Sequence, residues 1–227
     1  MKSILVLMVG AIVLCGVAEA QTTAGSGGAA AEPGTGYVEG VGQAAFSNVQ
    51  SQSYGAEVGY TITTGLQVFV EAGRIRDVAT ADLGVNAPII VEAVKQSLTD
   101  MGNPALVGYT VKEPVTFGVA GLKYLIAVSS NLQPYVLGGF GVARYTKDVR
   151  FLVGGTDVTG NVAQYGVVLG SDLSGAFTRP MLTLGLGVTW PAWQRLIVDF
   201  QYRFGRIFAD NQGINVSRAG VGVGVRF

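Results

Sequence analysis

The sequence predicts an all-β fold: an eight-stranded antiparallel up-and-down transmembrane β-barrel with short periplasmic turns, longer outer loops and one short helix in a loop. Three observations predict it. In residues 217–227, small and apolar side chains alternate with glycine and arginine, as on the two faces of a membrane-spanning strand. An export signal precedes the mature chain. The mean hydropathy is +0.42, yet no mature segment reads as an apolar helix, because the apolar residues occupy alternate positions.

The first 20 residues are predicted to be a signal peptide. Lys2 precedes an apolar run at 4–17, and Ala18-Glu19-Ala20 supplies the small-x-small motif that signal peptidase cleaves, here before Gln21. The alternative is a membrane anchor. It is disfavoured because the run is short and has no positive stop-transfer flank.

The cysteine content and the charge exclude further classes of protein. Cys15 is the only cysteine and leaves with the signal peptide, so the mature chain is expected to form no disulfide. A lipoprotein signal is disfavoured because Leu14 stands where a small residue is expected. Loss of Lys2 and Glu19 reduces 15 basic and 15 acidic residues to 14 of each. This balance, without a basic cluster, indicates no nucleic-acid partner.

The chain contains no histidine, which removes Ser-His-Asp hydrolysis, His-based acid/base catalysis and most zinc sites. Barrel-type acyl-editing enzymes, phospholipases and surface proteases use an active-site histidine, so none of them fits. Residues 25–30 formally match a dinucleotide-binding pattern, but no strand precedes them and no helix follows. The sequence therefore predicts a protein that is not an enzyme and has neither a catalytic residue, a cofactor nor a metal site.

Residues 21–35 are small, polar and Gly-rich and are predicted to form a flexible periplasmic tail, which leaves 36–227 for the barrel. An even number of strands is usual for such barrels. Eight strands are predicted, at 36–48, 53–63, 65–78, 114–128, 133–151, 180–190, 195–208 and 215–227.

The connections between these strands alternate between short and long. The short ones are expected to face the periplasm and the long ones to face outside. Tight turns are predicted at 63–65, 129–132 and 191–194, and outer loops at 49–52, 79–113, 152–179 and 209–214.

Aromatic side chains cluster near the predicted strand ends, where a girdle at the membrane interface would place them. A soluble barrel also alternates, and the face that carries the charges distinguishes the two. The predicted interfacial aromatics at the turn end are Tyr60, Tyr124, Trp190 and Trp193, with Phe227, and those at the loop end are Phe46, Tyr54 and Phe208.

The inward face of the predicted strands carries four acids and four bases. Equal numbers of each sign indicate a neutral network of ion pairs that fills the interior, and the alternative is a gated path for ions. The predicted lumen charges are Glu39, Glu57, Glu71, Lys123, Asp199, Arg203, Arg218 and Arg226.

One helix is predicted in the second outer loop, from Pro88 to Met101, with Asn86 as its cap and Gly102 at its end. Its apolar stripe is expected to pack on the barrel rim or on neighbouring loops. Alternatively, the stripe forms a docking surface or a lid over the lumen. The stripe consists of Ile90, Val94, Leu98 and Met101.

Several short segments resemble the small OmpA/OmpX-type outer-membrane barrels over 36–227. They are Pro134-Tyr135-Val136 with Gly138-Gly139-Phe140-Gly141, Gly121-Leu122-Lys123-Tyr124, and the final Val-Gly-Val-Arg-Phe. The resemblance implies that Val223, Val225 and Phe227 are the signal read by the outer-membrane assembly machinery. The peptidoglycan-binding domain of full-length OmpA proteins is missing, so tethering by that route is not expected.

These features predict a non-enzymatic protein of the bacterial outer membrane with a structural or surface-interaction role through its outer loops. The competing prediction is a narrow, porin-like channel for ions or small solutes, and a third is a surface adhesin. The expected partners are outer-membrane lipid, the assembly machinery and an extracellular partner at the loops, and a monomer is expected.

Overall fold

The computed structural model describes residues 33–128, 131–168, 170, 173–209 and 213–227. The predicted signal peptide and all but the end of the predicted tail lie outside these residues. Within the described residues, no helix has the length and apolar character needed to cross a membrane.

Ten strands, one α-helix and one 3-10 helix make up the described fold. The strands are mostly long and antiparallel. In chain order, the elements are β1 (Gly36–Phe46), β2 (Gln50–Thr63), β3 (Leu66–Ile75), α1 (Ala81–Asp100), β4 (Val107–Lys112), β5 (Val115–Leu125), β6 (Gln133–Val153), β7 (Thr156–Asp157), the 3-10 helix Thr159–Tyr165, β8 (Ser174–Pro191), β9 (Leu196–Ile207) and β10 (Ile214–Arg226).

Eight of these strands close into a ring in the order β1-β2-β3-β5-β6-β8-β9-β10, and β10 pairs with β1. Tyr37 lies opposite Arg226, and Phe46 lies opposite Ser217, so the first and last strands pair along their whole length. The ring has no unpaired edge, which is the condition for a sheet in lipid. The predicted eight-stranded barrel is confirmed.

Two short strands, β4 and β7, lie outside the ring, and the prediction missed both. They pair with the outer part of β6, which has 21 residues and continues past the level where β5 ends. Ser174 to Arg179 of β8 pair with β6 from Asp148 to Ala143, so β8 begins at 174 and not at 180. The predicted loops 79–113 and 152–179 are therefore partly strand.

The first predicted outer loop, 49–52, is also shorter than expected. Gln50, Ser51 and Gln52 belong to β2 and pair with β1 as far as Phe46. Backbone pairing continues because these residues lie at the loop end of the strand, where water reaches the side chains.

The predicted helix at 88–101 has the wrong start. Helix α1 begins at Ala81 after Thr80, so Pro88 lies inside the helix and Asn86 does not cap it. The backbone N–H of Thr80 donates to Glu113 at 3.1 Å. This contact comes from a distant part of the chain, so local capping signals could not reveal it.

Helix α1, β4, the outer part of β6 and the 3-10 helix form a second hydrophobic core beyond the ring, which we call the cap. Val94 and Leu98 are buried there, as the predicted stripe requires, and Ile90 packs at its edge. Met101 is 58% exposed because it follows the helix at the C-cap. The remaining buried members of the cap core are Ala87, Val91, Val107, Val149, Phe151, Val162, Val167 and Leu173.

Candidate functional site: the barrel interior and the cap

Successive side chains of the ring strands alternate between a buried inward face and an exposed outward face. The predicted lumen charges all lie on the inward face, and Arg226 is only half-buried because it lies at the turn end, where it lines the interior. The fully buried members are Glu39, Glu57, Glu71, Lys123, Asp199, Arg203 and Arg218.

Five of these side chains form one continuous chain of ion pairs across the lumen. Lys123 Nζ lies 2.6 Å from Glu57. Arg203 bridges Glu57 at 2.5 Å and Glu71 at 2.7 Å, and Arg218 contacts the other oxygen of Glu71 at 2.8 Å. Because each carboxylate contacts two cations, the charge of both buried acids is compensated where water is excluded.

The arrangement depends on strand register. Glu57 and Glu71 lie directly opposite each other on β2 and β3, and Arg203 and Arg218 do the same on β9 and β10. Like charges side by side on neighbouring strands repel. The closed ring places the acidic wall against the basic wall, and the repulsion within each wall is offset across the lumen.

Two buried tyrosines complete the polar interior, and the sequence analysis did not assign them. The hydroxyl of Tyr37 donates to Glu57 at 2.5 Å, and that of Tyr135 donates to Asp199 at 2.6 Å. The ammonium of Lys123 lies over both rings, 4.6 and 4.5 Å from their centroids. Alternation along β1 and β6 places both tyrosines on the inward face, and this pattern in the sequence could have identified them.

The other three predicted lumen charges lie outside this chain of ion pairs. Asp199 accepts hydrogen bonds from Tyr135 and, at 3.3 Å, from Thr189. Arg226 donates to Gln133 at 3.0 Å. Oε1 of Glu39 has no hydrogen-bond partner among the described residues. The structure therefore links two acids and three bases, and not the balanced set of eight.

Apolar side chains fill the interior between the ion pairs and the loop end. Seven of the eight ring strands carry an inward-facing apolar residue with almost no solvent exposure at this level, and we call this set the apolar layer; β2 contributes Ser53 there. It includes Ala45, Ile75, Val115, Ala143, Tyr145, Met181, Ile207, Ile214 and Val216.

A small cavity lies inside the barrel at the turn end. Its volume is about 10 Å³, and Glu39, Gln67, Lys123 and Thr189 contribute to its lining. This is about the volume that one water molecule requires.

The aromatics predicted for the turn end have exposed side chains, as has Phe227 directly after β10, and Val223 and Val225 lie exposed on the outward face of β10. The aromatics predicted for the loop end, Phe46, Tyr54 and Phe208, are exposed as well. Phe227 also closes the ring, since its backbone exchanges two hydrogen bonds with Gly36 at 2.8 and 2.9 Å. The exposed aromatics predicted for the turn end are Tyr60, Tyr124, Trp190 and Trp193.

A buried carboxylate anchors the cap to the barrel. Glu113, between β4 and β5, accepts from the N–H of Thr80 at the start of α1, and its other oxygen has no partner among the described residues. Burial raises the pKa of this carboxyl above its usual range, and the hydrogen bond from Thr80 opposes that rise. Asp77 lies beside it and accepts from the N–H groups of Ala79 and Glu113, both at 2.9 Å.

No family model matches the sequence, and no curated protein sequence matches it. Solved structures do. Neisserial surface protein A matches with a TM-score of 0.50 and 17% identity, over 85% of this chain and 94% of that one. The N-terminal β-barrel domain of Pseudomonas aeruginosa OprF matches with a TM-score of 0.50 and 17% identity, over 86% and 98%.

A major outer membrane protein from Thermus thermophilus is a third match, with a TM-score of 0.50 and 11% identity over 85% of this chain and 99% of that one. At these identities, the likeness concerns the fold. The chain has the fold of the small outer-membrane β-barrels, and the resemblance predicted from its sequence is confirmed at that level.

Proposed function

We propose that this chain is a non-enzymatic protein of the bacterial outer membrane, in which a closed barrel holds a folded cap at the outer surface for interaction with other molecules. The observation that carries the proposal is the filled interior. Side chains occupy the lumen from the ion pairs to the loop end, so the barrel serves as a scaffold and the cap offers the accessible surface.

The apolar layer is the strongest argument against the competing channel. An ion that passed the chain of ion pairs would next meet Ile75, Met181 and Ile207, each with 0% exposure. Moving a charge through such a layer costs several kcal/mol or more, since apolar side chains do not replace its hydration shell.

The cap surface supports the interaction role. Val85 and Ile89 lie one turn apart on α1 and are 65% and 63% exposed, and Leu106 and Val168 are more than 80% exposed, at 85% and 86%. Exposed apolar groups above the membrane level contribute nothing to anchoring in lipid. Their grouping on one folded cap is typical of a surface that contacts a partner.

Single-channel recording from the refolded mature protein in a planar lipid bilayer tests the proposal, with a heat-modifiability gel to verify folding. We expect a folded barrel that gives no discrete conductance. Reproducible conductance steps from folded protein, altered by Ile207→Glu in the apolar layer but not by the outward-facing Val223→Thr, would establish the channel instead.

Protease treatment of intact cells tests the orientation. We expect proteinase K to cut in the cap between β7 and β8 and to leave the turn that contains Trp193 uncut until the cells are opened. Cleavage at Trp193 in intact cells would place the cap in the periplasm and contradict the proposal.

A further inference from the structure

The charged residues on the outward face of the ring have a one-sided distribution. Among the described residues below the level of Tyr145, where β5 ends, three charged side chains point outward from the ring strands. All three are arginines near the loop end: Arg74 on β3, Arg144 on β6 and Arg206 on β9. At the turn end, the outward face is aromatic and aliphatic. The two membrane interfaces are therefore chemically different.

Two of these arginines share one row of the sheet. Arg74 pairs with Thr116 of β5, and Thr116 pairs with Arg144 of β6. Since neighbouring strands lie about 4.8 Å apart, the two backbone positions are roughly 10 Å apart with a small hydroxyl residue between them. Both side chains are exposed, and neither forms an ion pair within the described part of the chain.

A groove of about 510 Å³ lies beside this row, and we call it the rim groove. Ala44 and Phe46 on β1 form its apolar side, continuous with the lipid-facing wall. Arg76 and Lys112 supply two cations on the other side. The groove thus combines an apolar surface, continuous with the lipid-facing wall, with two cations beside it.

The residues that line the rim groove carry one more positive than negative charge, Arg76 and Lys112 against Asp77. Arg76 donates to the neutral amide of Gln52 at 2.8 Å, and Lys112 has no ion pair among the described residues. Asp77 is the one acid that lines the groove, and its Oδ1 is already hydrogen-bonded to two backbone N–H groups. Guanidinium and ammonium groups in this arrangement complement a phosphate.

We propose that the rim groove, together with Arg74 and Arg144, binds the phosphorylated headgroup of a glycolipid in the outer leaflet. The acyl chains lie along the outward face of β1 and β2, past Ala44 and Phe46. The inference rests on the proposed function for the insertion and orientation of the barrel. The inference adds a ligand class and a binding site to the proposed function.

Native mass spectrometry of the refolded mature protein in detergent tests this proposal, with diphosphorylated lipid A as the probe and the same lipid without phosphates as the reference. We expect retention of the diphosphorylated lipid only, and weaker binding as ionic strength rises. Retention of both lipids to the same extent would overturn the assignment.

The triple variant Arg74→Gln/Arg76→Gln/Lys112→Gln removes three charges from exposed positions. Its affinity for diphosphorylated lipid A is expected to fall about 100-fold, at roughly fivefold for each charge near the membrane surface. The matched control is Arg195→Gln, an exposed arginine in the turn between β8 and β9, which should bind as the wild type does. Equal binding by the triple variant and the wild type would contradict the proposal.

Two further readouts separate the sources of failure. A heat-modifiability gel on vesicles reports insertion. Folded protein that does not bind diphosphorylated lipid A contradicts the lipid site alone, whereas protein that does not insert contradicts the proposed function. Binding of soluble inositol hexakisphosphate without retention of lipid A would show that the groove takes free phosphates, and the lipid assignment would be wrong.

Discussion

Glu57 and Glu71 lie directly opposite each other on β2 and β3, and one guanidinium, that of Arg203, contacts both carboxylates, at 2.5 and 2.7 Å. All three side chains have 0% exposure. The stability of the barrel therefore depends on a cation that comes from the opposite wall.

Replacing Arg203 with Gln is expected to lower the free energy of unfolding by about 3–5 kcal/mol, because two buried carboxylates are left side by side with one of their cations missing. Urea titration in lipid vesicles measures the change. The control is Arg150→Gln, which disrupts the exposed pair with Asp148 and should change stability by less than about 1 kcal/mol. Glu71→Gln added to Arg203→Gln should recover part of the loss, and a midpoint that does not move in Arg203→Gln would show that water solvates this site.

Glycine at position 59 makes room for Tyr37. A Cβ there would overlap Cε1 of the Tyr37 ring, whose hydroxyl donates to Glu57. Gly59→Ala should therefore displace the ring and destabilise the barrel by about 1–3 kcal/mol. Gly42→Ala is the matched control on a neighbouring strand, since a Cβ at Gly42 meets nothing within 4 Å. Equal unfolding midpoints for the two variants would contradict this account of Tyr37 packing.

Protonation of Glu113 is expected to stabilise the cap. Its folded-state pKa is raised by burial, so the native cap binds this proton more tightly than the open cap does. The stabilisation is complete below the ordinary carboxyl pKa and is lost as pH rises through the raised value. Hydrogen-exchange protection factors at the start of α1 should therefore decrease over this range.

Glu113→Gln should abolish that pH dependence, because an amide accepts from Thr80 without titrating. Asp77 and Lys147 act on the same carboxyl and are left unchanged. The control is Glu92→Gln, an exposed carboxylate of α1 that contacts Lys95. A protection profile in Glu113→Gln that varies with pH as in the wild type would locate the titrating group elsewhere.

Removing the Phe227 ring should reduce assembly more than stability. Phe227→Ala keeps the backbone hydrogen bonds to Gly36 and removes a side chain that is 69% exposed. We expect lower outer-membrane levels and an envelope-stress response in cells, whereas the free energy of unfolding of the refolded protein should fall no more than it does in Phe208→Ala. Phe208→Ala, an outward aromatic at the loop end, is the control. Unchanged outer-membrane levels of Phe227→Ala would refute the assembly-signal assignment.

The fold could be predicted because it depends on a local signal. Alternation with a period of two fixes which side chain points inward, and in a closed ring this determines the architecture. The cap could not be predicted to the same extent. Its extra strands pair with the far end of β6, and Thr80 begins α1 beside Glu113, so these boundaries depend on contacts between distant parts of the chain.

In the barrel interior, too, the local pattern could be predicted and the contacts between distant residues could not. The alternation of inward and outward side chains places four charged residues on the inward face: Glu57, Glu71, Arg203 and Arg218. Alternation alone does not indicate how far along the barrel axis each residue lies. Register across four strands decides that these residues meet, whereas Arg226 lies too near the turn end to join them. The apolar layer was missed for the same reason, because its members lie on seven different strands and only the register brings them to one level.

The 21 residues of β6 give the barrel and the cap one shared backbone. On one side, β6 pairs with β8 from Gln133 to Asp148, and on the other it pairs with β5 and then with β4 as far as Val153. A molecule that pulls on the cap along this strand therefore loads many interstrand hydrogen bonds at once, in shear. A force applied to the cap is therefore transmitted along β6 to the neighbouring strands of the barrel.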